Sequence, residues 1–401
     1  MDSTEEGDDV TVLSRPSTGP IYLDYNATTP IDPAVTASLL PYVSDEFGNP
    51  SSGHHYGRKP RTALAAARNR VANLIGTSGQ RIVFTGSGSE ANALALCGVV
   101  RAAAVERPHV ITQCTEHPAV LESCRALERN HGVDVTYLPV DGEGMVDPAE
   151  LTAAFTSRTV LVSIMSANNE TGALQPIAEL ARITHEHGAL FHTDASQLVG
   201  KLPVDVVALD VDLLTMAGHK MYAPKGIGAL YVRAGVSLEP LIHGGGQEHG
   251  LRAGTENVAF AVAFGTAAQR AAAALEAGEP ERLRRLRDRL HDLLREALGD
   301  RVMLNGPLRS RLPNTVNVSI DGVRGKDLLA EMPGLAASTG SACHSGQAHP
   351  SVVLTAMGLS GRRASSALRL SLGRWTTGED IDRAAEMIGS SVLRAARVST
   401  V

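Results

Sequence analysis

"ALFHTDAS" (residues 189–196) and "VDLLTMAGHK" (211–220) are two short apolar runs that close on groups able to do chemistry, Asp194 in the first and His219 and Lys220 in the second. Runs of this length, bounded by glycine and polar residues, fit strands, and their lack of polar alternation fits strands buried on both faces. The same pattern recurs outward from them, in "RIVFTG" (81–86), "HVITQ" (109–113), "VDVTYLPV" (133–140), "TVLVSIMSA" (159–167) and "GIGALYVR" (226–233). Helix-like stretches lie between the earlier runs, among them "SEANALALCGVVRAAAVE" (89–106) and "PAVLESCRALERNHG" (118–132), while Arg58 to Ile75 carries apolar residues at helical spacing and stops at Gly76. This alternation predicts an α/β fold with a mostly parallel seven-stranded sheet covered by helices, its chemistry gathered beyond the carboxyl ends of the strands.

After Glu256 the pattern changes. Two long helical stretches follow, "AFAVAFGTAAQRAAAALEAG" (259–278) and "PERLRRLRDRLHDLLREALG" (280–299), then strand-like "NTVNVSI" (314–320) and "ALRLSLGR" (367–374), and a last helix from about Gly378. The expected organisation is a mobile tail over 1–19, a large domain over 30–270, and a smaller α+β domain made of 20–29 with 271–401. A chain of 401 residues has ample material for more than one core. Its formal charge of -6 gives no basic field for a nucleic acid backbone, so no direct nucleic acid binding is expected. No run approaches 18 apolar residues without charge, and "MDSTEEGDDV" is acidic where a secretory signal is basic and then apolar. A cytoplasmic protein with no membrane contact is expected. The four cysteines, Cys97, Cys114, Cys124 and Cys343, form no CxxC pair, and the His54–His55 pair has no accompanying ligand spacing, so no metal site is expected.

"FTGSGSEANALAL" (84–96) runs strand, glycine-rich turn, helix, which leaves unpaired amides at a helix start where a phosphate can sit. Alone it reads equally well as a flexible capping turn, lacking both the dinucleotide and the P-loop patterns. Asp194 and Lys220 change that reading. A lysine for a Schiff base, a carboxylate for a pyridine nitrogen and amides for a phosphate, all at one sheet edge, are what pyridoxal 5'-phosphate requires. "ASTGSACHSGQAHPS" (337–351) sets Cys343 and His344 among small residues that build no tight apolar pocket, which suits a thiol carried on a mobile loop. Cys97, Cys114 and Cys124 sit in or beside apolar stretches and read as packing residues.

The whole chain from "IYLDYNATTPIDP" (21–33) to about residue 395 resembles the class V, fold type I pyridoxal phosphate enzymes, and within them the cysteine desulfurases and selenocysteine lyases. The resemblance rests on "FGNPSS" (47–52), "FTGSGSEANALAL", "TEHPAVL" (115–121), "VSIMSANNETG" (162–172), "FHTDASQLVGK" (191–201), "GHKMYAPKGIGALYV" (218–232), "GGGQEHGLRAGTEN" (244–257), "TGSACHS" (339–345) and "LRLSLGRWTT" (368–377). It implies that Lys220 carries the cofactor, Asp194 faces its pyridine nitrogen, His117 stacks on its ring, and Gln197 and Asn169 lie at its phenolic edge. Gly88, Ser89 and His219 would hold the phosphate, with Thr255 reaching it from the partner of a homodimer. Arg369 would clamp the substrate carboxylate, with Asn26 and Asn169 closing the substrate side. The implied reaction converts L-cysteine to alanine: Lys220 removes the α proton, and the Cys343 thiolate takes the sulfur as a persulfide for an acceptor protein. His117 or His344 would assist that thiolate. The acceptor would serve iron–sulfur cluster assembly, tRNA or cofactor thiolation, or DNA phosphorothioation. Selenocysteine lyase and non-desulfurizing aminotransferase are the alternatives. One departure stands out: Ala217 occupies a position where many cysteine desulfurases place a phosphate-binding serine, and selenocysteine lyases tend to carry an apolar residue.

Overall fold

The computed structural model of the chain describes residues 19–340 and 350–398. Its strands are β1 (Ile21–Tyr22), β2 (Ile82–Thr85), β3 (His109–Gln113), β4 (Asp134–Leu138), β5 (Thr159–Ser163), β6 (Leu190–Asp194), β7 (Leu213–Ala217), β8 (Gly228–Val232), β9 (Val302–Asn305), β10 (Thr315–Ile320), β11 (Leu335–Ala336) and β12 (Ala367–Ser371). Seven of them form one sheet in the order β2-β8-β7-β6-β5-β3-β4. Neighbours are parallel except around β8, which runs antiparallel to both β2 and β7. The reversal follows from the connection: only a short loop with a single 3-10 turn (Gly218–Lys220) joins β7 to β8, and a parallel return needs a longer crossover, usually a helix. Because β8 is reversed twice over, β2 points the same way as β7, and the carboxyl ends of β2, β3, β5, β6 and β7 share one edge.

Every residue of β2, β3, β6 to β8 except half-buried Leu190 is buried, as the unalternating apolar runs require. One face of the sheet is covered around Ile82, Ile111, Val162, Phe191 and Phe264, the other around Val83, Leu94, Val110, Leu161 and Leu230. The helix Val258–Glu276 is long and apolar enough to cross a membrane by length and composition, yet more than half of it is buried inside the protein. It lies so close to the helix His55–Leu74 that a Cβ on Gly265 would stand 2.6 Å from Cα of Ala67. Only glycine permits that approach.

A second core is built from Leu283, Leu290, Leu294, Val316, Val318, Leu368, Leu370, Ile381 and Ile388, and Ile21 and Leu23 join it. These side chains come from the helices Glu279–Leu298 and Gly378–Val398 and from the antiparallel sheet β9-β10-β12. The start of the described chain is thus stitched to its far end: β1 pairs with β11, and Ser371 N donates to Leu23 O at 2.8 Å.

Candidate active site

The shared carboxyl edge gathers the residues singled out in the sequence. After β2, Ser87 caps the helix Gly88–Ala102, its Oγ accepting from Glu90 N at 3.1 Å, so the amides at Gly88 and Ser89 open that helix with no partner within it. Gly88 is buried against Ala217, whose Cβ would lie 2.9 Å from a Cβ placed at 88, while Ser89 is exposed. The turn is held close to the sheet because Gly228 has no side chain: a Cβ there would stand 2.7 Å from Gly88 N.

After β3, His117 caps the helix Pro118–His131, its Nδ1 accepting from Ala119 N at 3.1 Å. That bond leaves the imidazole proton on Nε2. Desolvation lowers the His117 pKa, with Lys220 adding to the effect and Asp194 opposing it, so the ring is neutral near pH 7. At the end of β6, Asp194 is buried, with Oδ2 accepting from Asn92 Nδ2 at 2.7 Å and Oδ1 from Ser196 N at 2.9 Å.

Just past β7, His219 Nδ1 meets Thr28 Oγ1 at 3.2 Å, and its pKa is pushed down to about 4 by burial and by Lys220, Lys225 and Lys201. Lys220 Nζ donates to the carbonyl oxygens of Asn26 and Ala27, the latter at 2.8 Å. Held by carbonyls in place of a carboxylate, it forms no salt bridge among the described residues, and burial together with the Arg369 charge lowers its pKa to about 8.

Arg369, on β12, reaches the same cleft from the second core. It is buried, with Nη2 donating to Asp24 Oδ1 at 2.8 Å and Nη1 to Asn169 O at 3.1 Å, while its Nε has no partner among the described residues. Asn169 is half-buried beside it. Asn26 takes a different place from a substrate-facing side chain: its amide is spent on Thr315 Oγ1, Asn169 O and Asn314 Nδ2, and what it offers the cleft is its carbonyl, which accepts from Lys220 and from Gln197 Nε2 at 3.0 Å. Thr255 is exposed on the surface. Cys343 and His344 lie outside the described residues. The three described cysteines all have raised thiol pKa values through burial, Cys124 to about 12, as packing residues should.

Four participants went unmarked in the sequence: Asn92, Asp24, Lys201 and Glu170. Asn92 had a signal, because it lies one helical turn beyond Gly88 and therefore on the same face. The other three had none that separates them from surface or structural groups.

The cleft suits a phosphorylated pyridine aldehyde. An open helix start, a buried carboxylate fixed by two donors, a lysine of depressed pKa and an arginine with an orphaned buried N–H stand at one edge. Comparison with known proteins agrees with that chemistry. The chain belongs to the aminotransferase class-V family, whose model matches residues 21–384. It is 47% identical over 364 residues to a cysteine desulfurase IscS of Dictyoglomus turgidum, covering 90% of this chain and 92% of that one. Among solved structures it resembles a NifS-like protein (TM-score 0.86, 36% identity, 92% and 98% coverage) and SspA in complex with cysteine (TM-score 0.77, 36% identity, 89% and 99% coverage).

Proposed function

We propose that the protein is a pyridoxal phosphate-dependent cysteine desulfurase, which converts L-cysteine to L-alanine and passes the sulfur, as a persulfide on Cys343, to an acceptor protein. The observation that carries this reading is Lys220, a half-buried amine at the carboxyl edge within the field of Asp194, held by two carbonyl oxygens and shifted to a pKa of about 8. When bound, pyridoxal phosphate supplies an electron-withdrawing ring that takes up the charge left as the substrate α carbon loses its proton. Gly88, Ser89 and His219 would hold its phosphate, and Asp194 would keep a proton on the ring nitrogen. Gln197 would donate to the ring hydroxyl with Asn169 at the same edge, and neutral His117 would lie against the ring. Lys220, partly unprotonated near neutral pH, takes the α proton. Arg369 orients the substrate carboxylate with Nε and the remaining N–H groups not used on Asp24 and Asn169. The Cys343 thiolate would then attack the substrate sulfur as the carbon–sulfur bond breaks with its electron pair left to the substrate β carbon, and alanine would leave once its β and α carbons have each taken a proton.

The working unit in this reading is a homodimer. Thr255 stands exposed, and Leu40, Val43, Phe47 and Tyr56 are each exposed apolar side chains, the rings of Phe47 and Tyr56 stacked 5.6 Å apart, surface that a second copy would cover. The test is alanine release from L-cysteine and peptide mass analysis for an added sulfur, in the wild type, Lys220→Ala and Cys343→Ser. Both variants should lose alanine release, Lys220→Ala with loss of the covalently held cofactor and Cys343→Ser with the cofactor retained. A Cys343→Ser protein that desulfurates at the wild-type rate overturns the reading. Turnover of selenocysteine alone would make the enzyme a selenocysteine lyase.

A further inference from the structure

A second lysine stands beside the proposed cofactor pocket. The chain leaves β6, turns at Gly200 (φ 80°), where a Cβ would stand 2.8 Å from both Cγ and Sδ of Met221, and so delivers Lys201 inward. Lys201 is half-buried as a residue, with its Nζ 2.6 Å from Oε1 of Gln197. Among the described residues no carboxylate forms an ion pair with it. The charges that act on it are those of Lys220 and Arg369, both cations, and burial together with these two drives its pKa well below the ordinary lysine value. A cation so placed is costly unless an anion arrives beside it.

The hydrogen bonds around Gln197 say what the lysine does. On one side the carboxamide meets the carbonyl of Asn26, which can only accept, so the group facing it is the NH2. On the other side Oε1 meets Lys201, whose amine donates in either protonation state. Gln197 is therefore fixed from both ends, and one N–H of Nε2 remains for an acceptor in the cleft.

We propose, resting on the cofactor reading above, that Lys201 is a positioning residue of this pocket: it locks the Gln197 amide with its N–H toward the ionised ring hydroxyl of the cofactor and supplies the positive charge that balances that oxygen. Lys201, Lys220 and Arg369 together then face the anion, with Asp194 and Asp24 as the opposing carboxylates nearest Lys220.

The test uses Lys201→Met, Lys201→Gln, Lys201→Arg and Gln197→Ala, with Lys201→Met also combined with Gln197→Ala. Each protein is stripped of cofactor and titrated with pyridoxal phosphate, and the Lys220-linked chromophore is followed by absorbance across pH. Lys201→Met should weaken pyridoxal phosphate binding by roughly tenfold. It should also raise by about one unit the pH at which the chromophore loses its proton, because a cation that opposed protonation is gone. Lys201→Gln keeps a donor without the charge, so it should bind better than Lys201→Met yet show the same upward shift, and Lys201→Arg should return the transition toward the wild type. In the Gln197→Ala background Lys201→Met should weaken binding by clearly less than in the wild type, because the share that acts through Gln197 is already gone and only the charge is left to lose. Wild-type affinity and an unmoved transition in both Lys201→Met and Lys201→Gln overturn the inference, as does an undiminished loss in the Gln197→Ala background. A wild type that takes no pyridoxal phosphate onto Lys220 defeats instead the reading on which the inference rests.

Discussion

Asn92 donates to Asp194 at 2.7 Å from the helix that follows β2, whereas Asp194 closes β6, three strands away across the sheet. Both are buried, and Asn92 Oδ1 has no partner among the described residues, where the donation to Asp194 is the side-chain bond the amide makes. Asn92→Ala should leave the Asp194 carboxylate with only the Ser196 amide to fix it. The expected result is a loss of about 1–2 kcal/mol of stability and pyridoxal phosphate retention weakened by roughly tenfold. Urea unfolding and equilibrium cofactor titration check the two parts, and an unchanged cofactor affinity would show that Asn92 only fills space.

Glu248 ties the glycine-rich segment carrying Thr255 to the body of the fold. Its carboxylate takes both terminal nitrogens of Arg68, Nη2 to Oε1 at 2.6 Å, and accepts from Phe84 N at 2.7 Å, and it is buried. Arg68 also lies 4.7 Å above the Phe84 ring. Glu248→Ala strands a largely buried guanidinium and a buried amide together, so stability should fall by about 3–5 kcal/mol. The paired change Arg68→Met with Glu248→Met should cost markedly less, because it removes both charges at once. Chemical denaturation of the three proteins tests this, and equal losses in the single and paired variants would contradict it.

Glu170 supplies the pH-dependent prediction. It is buried, accepts from Ser351 Oγ at 2.5 Å, and lies so near Gly340 that a Cβ there would stand 2.5 Å from Oε2; these two residues stand on either side of residues 341–349. Burial raises its pKa from 4.5 to about 7, against the Ser351 hydrogen bond and the Arg369 charge. The folded state therefore binds the proton more tightly than the unfolded one, and this contribution to stability is full below pH 4.5 and lost as pH rises to about 7. Glu170→Gln should match the wild type near pH 4.5 and exceed it at pH 8, by at most about 3 kcal/mol. Denaturation midpoints at the two pH values decide the matter, and a difference that does not grow with pH would refute it.

The apolar runs made the large sheet legible, because strands buried on both faces have no polar alternation to hide them, and Asp194 and Lys220 were legible because each ends such a run. The reversed β8 was harder to read, since an apolar run has the same composition in either direction. Lys201 looked like any solvated lysine: its meaning lies in the Gly200 turn and the Gln197 amide, which exist only in three dimensions. Asn26 could be noticed as a residue, but the atom that meets Lys220 is a main-chain carbonyl, and side-chain identity says nothing about carbonyls. Glu248 escaped because it sits at φ 48° in a segment whose composition reads as loop.

The stitching of Leu23 and Asn26 to Ser371 sets an order on assembly. Asn26 N donates to Ser371 Oγ at 3.0 Å, and the same residue's carbonyl grips Lys220. On the ribosome, residues 21–26 emerge long before β11 and β12, so the pairing of Ile21 with Leu335 and the bonds of Leu23 and Asn26 to Ser371 wait until those strands have been made. The large sheet can form long before then, since its last strand ends at Val232. The carbonyls that hold Lys220 therefore sit on a segment whose other edge is completed only by a closure between residues almost the full length of the chain apart.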